Sequence, residues 1–123
     1  MLTDLWDMVK GGLYRKENTE QLHSALHQDF LARKQAWFEW HEKNPEVWKM
    51  FERFAFEAIM NGHEKISHWL IINRIRWETS IVTKGGDFKI SNDYIAFYAR
   101  LWKETYPQYD KLFNTKKMIG EFE

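Results

Sequence analysis

His23 and His27 stand one helical turn apart, the spacing at which two imidazoles can hold a single metal ion. No third ligand follows at a useful spacing, so the pair reads as the flank of an exposed helix. His63-Glu64 followed by His68 superficially resembles a zinc-protease signature, in which two histidines four residues apart share one helical face. Here they are five apart with a capping serine, Ser67, between them, and they read as turn residues. The paired acids Glu17 with Glu20 and Glu39 with Glu42 fall on polar helix faces within reach of Lys34 and Lys43, which suits ion pairing rather than acid–base work. Gly85-Gly86 sits between two short apolar runs, not between a strand and a helix N-terminus, so it is no phosphate loop. The chain has no cysteine, which excludes disulfides, thiolate nucleophiles and Cys-ligated metal. No constellation for catalysis remains, and the sequence reads as non-enzymatic, without metal or cofactor.

Binding chemistry is better represented. Arg76, Lys84, Lys89, Arg100 and Lys103 are candidate phosphate contacts, and residues 63–117 carry ten basic against six acidic side chains. A helix holding Arg74-Ile75-Arg76-Trp77, a hairpin turn flanked by Lys84 and Lys89, and a second helix look like part of a winged helix-turn-helix. That motif needs two helices before its wing, and only one fits here. Arg74 and Arg76 also lie about 200° apart on a helical wheel and cannot address one groove together. The hairpin and the outer face of the following helix, with Arg100 and Lys103, are therefore the stronger nucleic-acid candidates. A protein partner would draw instead on apolar anchors: Leu5, Trp6 and Val9 near the N-terminus, and Phe56 with Met60.

The elements that must position these groups are mainly helical. Thr3 can cap a short turn bearing Leu5, Trp6 and Val9, which Gly11-Gly12 breaks; residues 1–12 read as a short arm. Leu22, Leu26, Phe30, Trp37 and Trp40 recur at helical spacing and predict a helix from about Thr19 to Lys43, roughly 37 Å long. Its apolar stripe is narrow and Arg33 interrupts it, and a helix longer than so small a domain needs is expected to break, to project, to pack along the domain or to pair with a second copy as a homodimer. Asn44-Pro45-Glu46 opens a second helix that Asn61-Gly62 stops, with Phe56 and Met60 off its main apolar arc, against the first helix or as a sticky patch. Ser67 to about Thr79 forms a third helix, apolar nearly all round and therefore expected to be buried on two sides. Ser80–Thr83 and Phe88–Ile90 flank the Gly-Gly turn as a hairpin, and Asp93 to Tyr106 forms a cleanly amphipathic helix closed by Pro107. The expected fold class is mainly α: one helical domain over residues 13–123, with its core at 44–113, about four principal helices and one short antiparallel β-hairpin.

Composition bounds the rest. Lys plus Arg equal Asp plus Glu at 18 each, so no global field draws in polyanions. Aromatic residues make up 17% of the 123, enough apolar area for a core of this size. No run is long and apolar enough to span a bilayer, and Asp4 and Asp7 leave the start unlike a signal peptide. A cytoplasmic protein with no membrane contact is expected, in the host cell if phage-encoded.

From Asn44 onward the chain resembles a small uncharacterised protein family of bacteriophages and prophages. The resemblance lies in Pro45 with Phe51, Phe54 and Ala58, then Gly62-His63, Ile66-Ser67, Arg74-Ile75-Arg76-Trp77, Asp87-Phe88-Lys89-Ile90, Asn92, Tyr98-Ala99-Arg100, Pro107 and Phe113. It covers residues 44 to 114; the first 43 look unlike that pattern. The resemblance implies a phage origin and no catalytic residues. Two roles follow from it: a nucleic-acid accessory factor, which the cationic residues place first, or a protein-binding inhibitor of a host defence complex such as a CRISPR or restriction effector.

Overall fold

The structure, a computed structural model, describes residues 16–122, so the expected arm of Leu5, Trp6 and Val9 lies outside the described residues. Four α-helices follow in order: α1 Lys16–Lys43, α2 Pro45–Met60, α3 His68–Trp77 and α4 Asn92–Thr105. A π-helical segment, Glu78–Thr83, continues α3, and a 3-10 turn, Pro107–Tyr109, follows α4. The chain divides into two compact units, Met1–Lys34 with Lys117–Glu123 and Gln35–Lys116; α1 contributes its last turns to the second.

In the second unit, α2 begins where Pro45 supplies a preset helical φ at the first position. Asn44 does not cap it as its type predicts: its side-chain amide donates to the Trp40 carbonyl at 2.9 Å and closes α1 instead. Asn61 ends α2 by donating to the Glu57 carbonyl, and Gly62 then turns the chain at φ +88°. Ser91 caps α4, its hydroxyl accepting from the Asp93 N–H. The apolar arc of α2, Val47, Phe51, Phe54 and Ala55, meets Ile71, Ile72 and Ile75 of α3 and Ile95, Tyr98 and Trp102 of α4, all buried. Phe51 lies within 5.2 Å of the Phe113 ring centroid and 5.9 Å of Tyr98, an offset aromatic cluster that fills the centre. Trp37 reaches this core from the end of α1, stacked on Phe97 and edge-on to Tyr98.

No strand occurs among the described residues, which corrects the expected β-hairpin. Ser80–Thr83 wind on as π-helix, and Phe88–Ile90 are irregular. The physical reason lies in where the backbone acceptors go. Arg76 donates to the Ile90 carbonyl at 2.7 Å, and Ser80 Oγ lies 3.5 Å from the Phe88 carbonyl, so side chains take the oxygens a ladder would have used. Thr79, fully buried, donates its hydroxyl to the Ile75 carbonyl at 2.8 Å and keeps the helix running past Trp77. Both Lys84 and Gly85 donate their N–H groups back to the Thr79 carbonyl, and Gly85 takes φ +93° to make the exit. An isolated two-stranded hairpin is marginal in water, and here it loses to this continuation.

In the first unit the chain end lies on α1. His27 Nδ1 donates to the Gly120 carbonyl at 3.0 Å, Arg33 to the Ile119 carbonyl at 2.8 Å, and His23 stacks on Phe122 with ring centroids 3.7 Å apart. Gly120 has φ +82°, and a Cβ there would stand 2.1 Å from the Leu26 carbonyl oxygen, so only glycine fits this crossing. The tail thus rests on the Leu26 and Phe30 part of the stripe expected to pair with a second copy.

Candidate protein-docking surface

The most unusual surface belongs to α3 and its π-helical continuation. One side of α3 is buried through Ile71, Ile72 and Ile75, while on the other Trp77 is 64% exposed, Leu70 59% and Ile81 65%. Val82 and Trp69 are exposed beside them. A seven-residue step from Leu70 to Trp77 keeps both on one helical face, and the π-helix carries that ridge on to Ile81. Beside Leu70 a groove of about 320 Å³ has an apolar floor of Phe54, Ala58 and Ile66, with His63 and Arg74 at its rim.

The basic residues singled out in the sequence are largely tied into the fold. Arg76 donates to Asn73 Oδ1 at 3.1 Å and Asn92 Oδ1 at 2.6 Å as well as to the Ile90 carbonyl, which makes it a strut between α3 and the start of α4. Lys84 pairs with Glu46 of α2 at 2.7 Å and lies over the Phe88 ring. Burial alone would raise the Glu46 carboxyl; Lys84 outweighs it and holds the group below the ordinary carboxylate range. Arg100 donates to the Ala96 carbonyl at 2.9 Å and the Lys116 carbonyl at 2.7 Å, fastening the segment after α4. Lys89 is exposed and Lys103 half-buried, and neither makes an ion pair among the described residues. Three of the five, Arg76, Lys84 and Arg100, are thus already engaged within the fold. Arg100 and Lys103 do come together with His68, whose imidazole is held below its usual range by burial first and then by these two cations.

Phe56 and Met60 part company. Phe56 packs edge-on against Trp102, Tyr106 and Tyr109, so its contact is α4 and the 3-10 turn rather than the first helix. Tyr106 donates to Glu52 beside it, and that hydrogen bond, ahead of burial, pushes the phenol up. Met60 is 85% exposed at the end of α2. His23 and His27 are occupied by the tail, and among the described residues no group of three or more His, Asp or Glu is placed to hold a metal ion. Also among the described residues, no helix is long and apolar enough to cross a membrane.

The ridge had a signal in the sequence. Leu70 and Trp77 fall on the side of α3 opposite Ile71, Ile72 and Ile75, a pattern that suggests a helix buried twice. The structure covers only one side. No protein-family model matches this chain, and neither a curated protein nor a solved structure similar to it was found.

Proposed function

We propose that this chain is a non-catalytic binding protein that docks a protein partner on the outward ridge of α3 and the π-helical segment. The observation that carries this is the exposure of Trp77, Leu70 and Ile81, each more than half accessible, in one line on a helix whose opposite side is core. Contiguous exposed apolar surface of this kind marks interaction sites, and tryptophan is among the residues that dominate interface energetics. The π-helix adds to the case, because such windings recur at functional sites. Three of the candidate phosphate contacts, Arg76, Lys84 and Arg100, already serve the fold. The resemblance to phage and prophage proteins makes a host protein complex, a defence effector included, the first partner to screen.

The test is a pull-down of host proteins by the full chain under nuclease treatment, beside a Trp77→Ala/Ile81→Ala variant. A partner held by the parent and lost by the variant, with far-UV circular dichroism unchanged, is the expected outcome. A complex that dissolves on nuclease treatment, or that the variant retains, refutes it. One observation favours nucleic acid as a second reading: two cations, Arg100 and Lys103, come together beside the neutral His68 at the α3–α4 seam. That reading requires retention of a labelled duplex or single strand at about 50 mM salt and its steep loss by about 200 mM.

A further inference from the structure

We propose that α1 carries a peptide-binding site for a tight turn: His23, His27 and Arg33 receive a type II β-turn with glycine at its third position and an aromatic ring two residues further on. Residues 118–122 are the occupant that the chain itself supplies, and the site accepts the same turn offered by another chain. This site stands apart from the α3 ridge. It uses the histidine pair for which no third metal ligand is placed among the described residues.

The occupant is closed on itself. The Glu121 N–H donates to the Met118 carbonyl at 3.0 Å, and the Met118 N–H donates to Glu121 Oε1 at 2.9 Å. Gly120 at φ +82°, following an Ile119 without positive φ, gives residues 118–121 the backbone of a type II turn. Such a turn leaves the carbonyls of its two central residues to outside donors, and α1 takes both: Arg33 donates to Ile119 at 2.8 Å and His27 Nδ1 to Gly120 at 3.0 Å. Asp29, one helical turn before Arg33 and 3.1 Å from its Nε, positions the guanidinium.

These hydrogen bonds go to main chain and select no side chain, so selection comes from shape. A Cβ at position 120 would stand 2.1 Å from the Leu26 carbonyl oxygen, which restricts the third position to glycine. Phe122 lies on His23 with ring centroids 3.7 Å apart and 5.3 Å from His27, so a flat ring suits the position two beyond. Ile119 is 65% exposed, and Met118, Glu121 and Phe122 are half-buried; no side chain of the turn is sunk in a core. A segment held this way belongs to the low-stability end of a fold, where local opening frees the site. Because the turn keeps its shape through its own two hydrogen bonds, one of the same form from elsewhere presents the same groups already organised for binding.

The test is fluorescence anisotropy of a labelled peptide of residues 115–122, titrated with the full chain and with a Gly120→Ala/Phe122→Ala chain whose own turn no longer fits. This opened chain is expected to bind the peptide at least about tenfold more tightly than the parent, in which the tethered turn competes at an effective concentration on the order of millimolar. The same peptide carrying Gly120→Ala should bind at least about tenfold more weakly, and adding His27→Ala/Arg33→Ala to the opened chain should abolish binding. Equal binding of both peptides, or none to an opened chain of unchanged far-UV circular dichroism, overturns the proposal. A second measurement needs no opened variant: about 5 mM unlabelled peptide added to the parent should speed amide exchange over 118–122 by displacing the tethered turn, and unchanged exchange overturns the proposal as well. Dimerisation of the parent with rising concentration, abolished by Gly120→Ala, identifies a second copy as the source of the turn; a parent that binds the peptide yet stays monomeric assigns it to a different protein.

Discussion

Arg76 decides between a strut and a reader, and replacing it separates the two. Its guanidinium makes three contacts, at 2.6, 2.7 and 3.1 Å, to Asn92, Ile90 and Asn73. A hydrogen bond involving a charged group contributes about 1.5–3 kcal/mol when well buried, and partial exposure of these lowers the value to about 1 kcal/mol each. Arg76→Ala should therefore cost about 2–3 kcal/mol, including the Ile90 carbonyl left without its donor. For a chain of this length that corresponds to a fall in Tm of roughly 10 °C. Arg76→Lys is the informative companion, because an ammonium keeps the charge but cannot span three acceptors in fork geometry; it should recover no more than about 1 kcal/mol. Urea unfolding followed by tryptophan fluorescence and circular dichroism supplies both numbers. A loss below about 0.5 kcal/mol for Arg76→Ala would refute the strut, and with it the account of why no hairpin forms at 88–90.

Gly120→Ala should release the tail from α1, since the added carbon meets the Leu26 carbonyl and the positive φ costs a further ~1 kcal/mol. Faster amide exchange over 117–122 checks this, and unchanged protection speaks against it. The chain should also lose stability as pH falls through the ordinary histidine range. Burial holds His41, packed among Trp37, Trp48 and Tyr98 and next to Glu42, below its unfolded value; burial with Arg100 and Lys103 does the same for His68. The unfolded chain then binds more protons than the folded one, so this stabilisation is complete above the unfolded pKa of about 6.5 and lost below it. Tm measured at about pH 7.5 and 5.5 should drop, and the drop should shrink in His41→Gln and His68→Gln; an unchanged Tm contradicts it.

Helix positions were legible because their signals are local. Pro45, Asn61-Gly62, Ser91 and the apolar arcs of α2 and α4 act within a few residues of themselves, and those helices run where the spacing puts them. The segment from Ser80 to Ile90 was not, because its β-branched residues and Gly-Gly turn compete with contacts from elsewhere. Arg76 reaches 14 residues along the chain to take the carbonyl a strand would need. Asn44 shows the same limit on a smaller scale: its residue type announces an N-cap, and a carbonyl of the preceding helix claims the side chain.

By itself, then, the sequence determined a mainly helical chain with four principal helices and no thiol chemistry, since periodicity, capping types and composition need no knowledge of the neighbours. Tertiary structure decided which apolar and charged groups remain available. Trp102 and Trp77 are the same residue type at good helical spacing, yet one is wholly buried among Phe51, Phe56 and Phe113 while the other stands in solvent. Arg76 and Arg53 are both arginines, yet one is bound by three oxygens and the other makes no ion pair among the described residues. The difference arises only when elements distant in sequence pack together, because burial and hydrogen-bond satisfaction are properties of the assembled surface and not of any window along the chain.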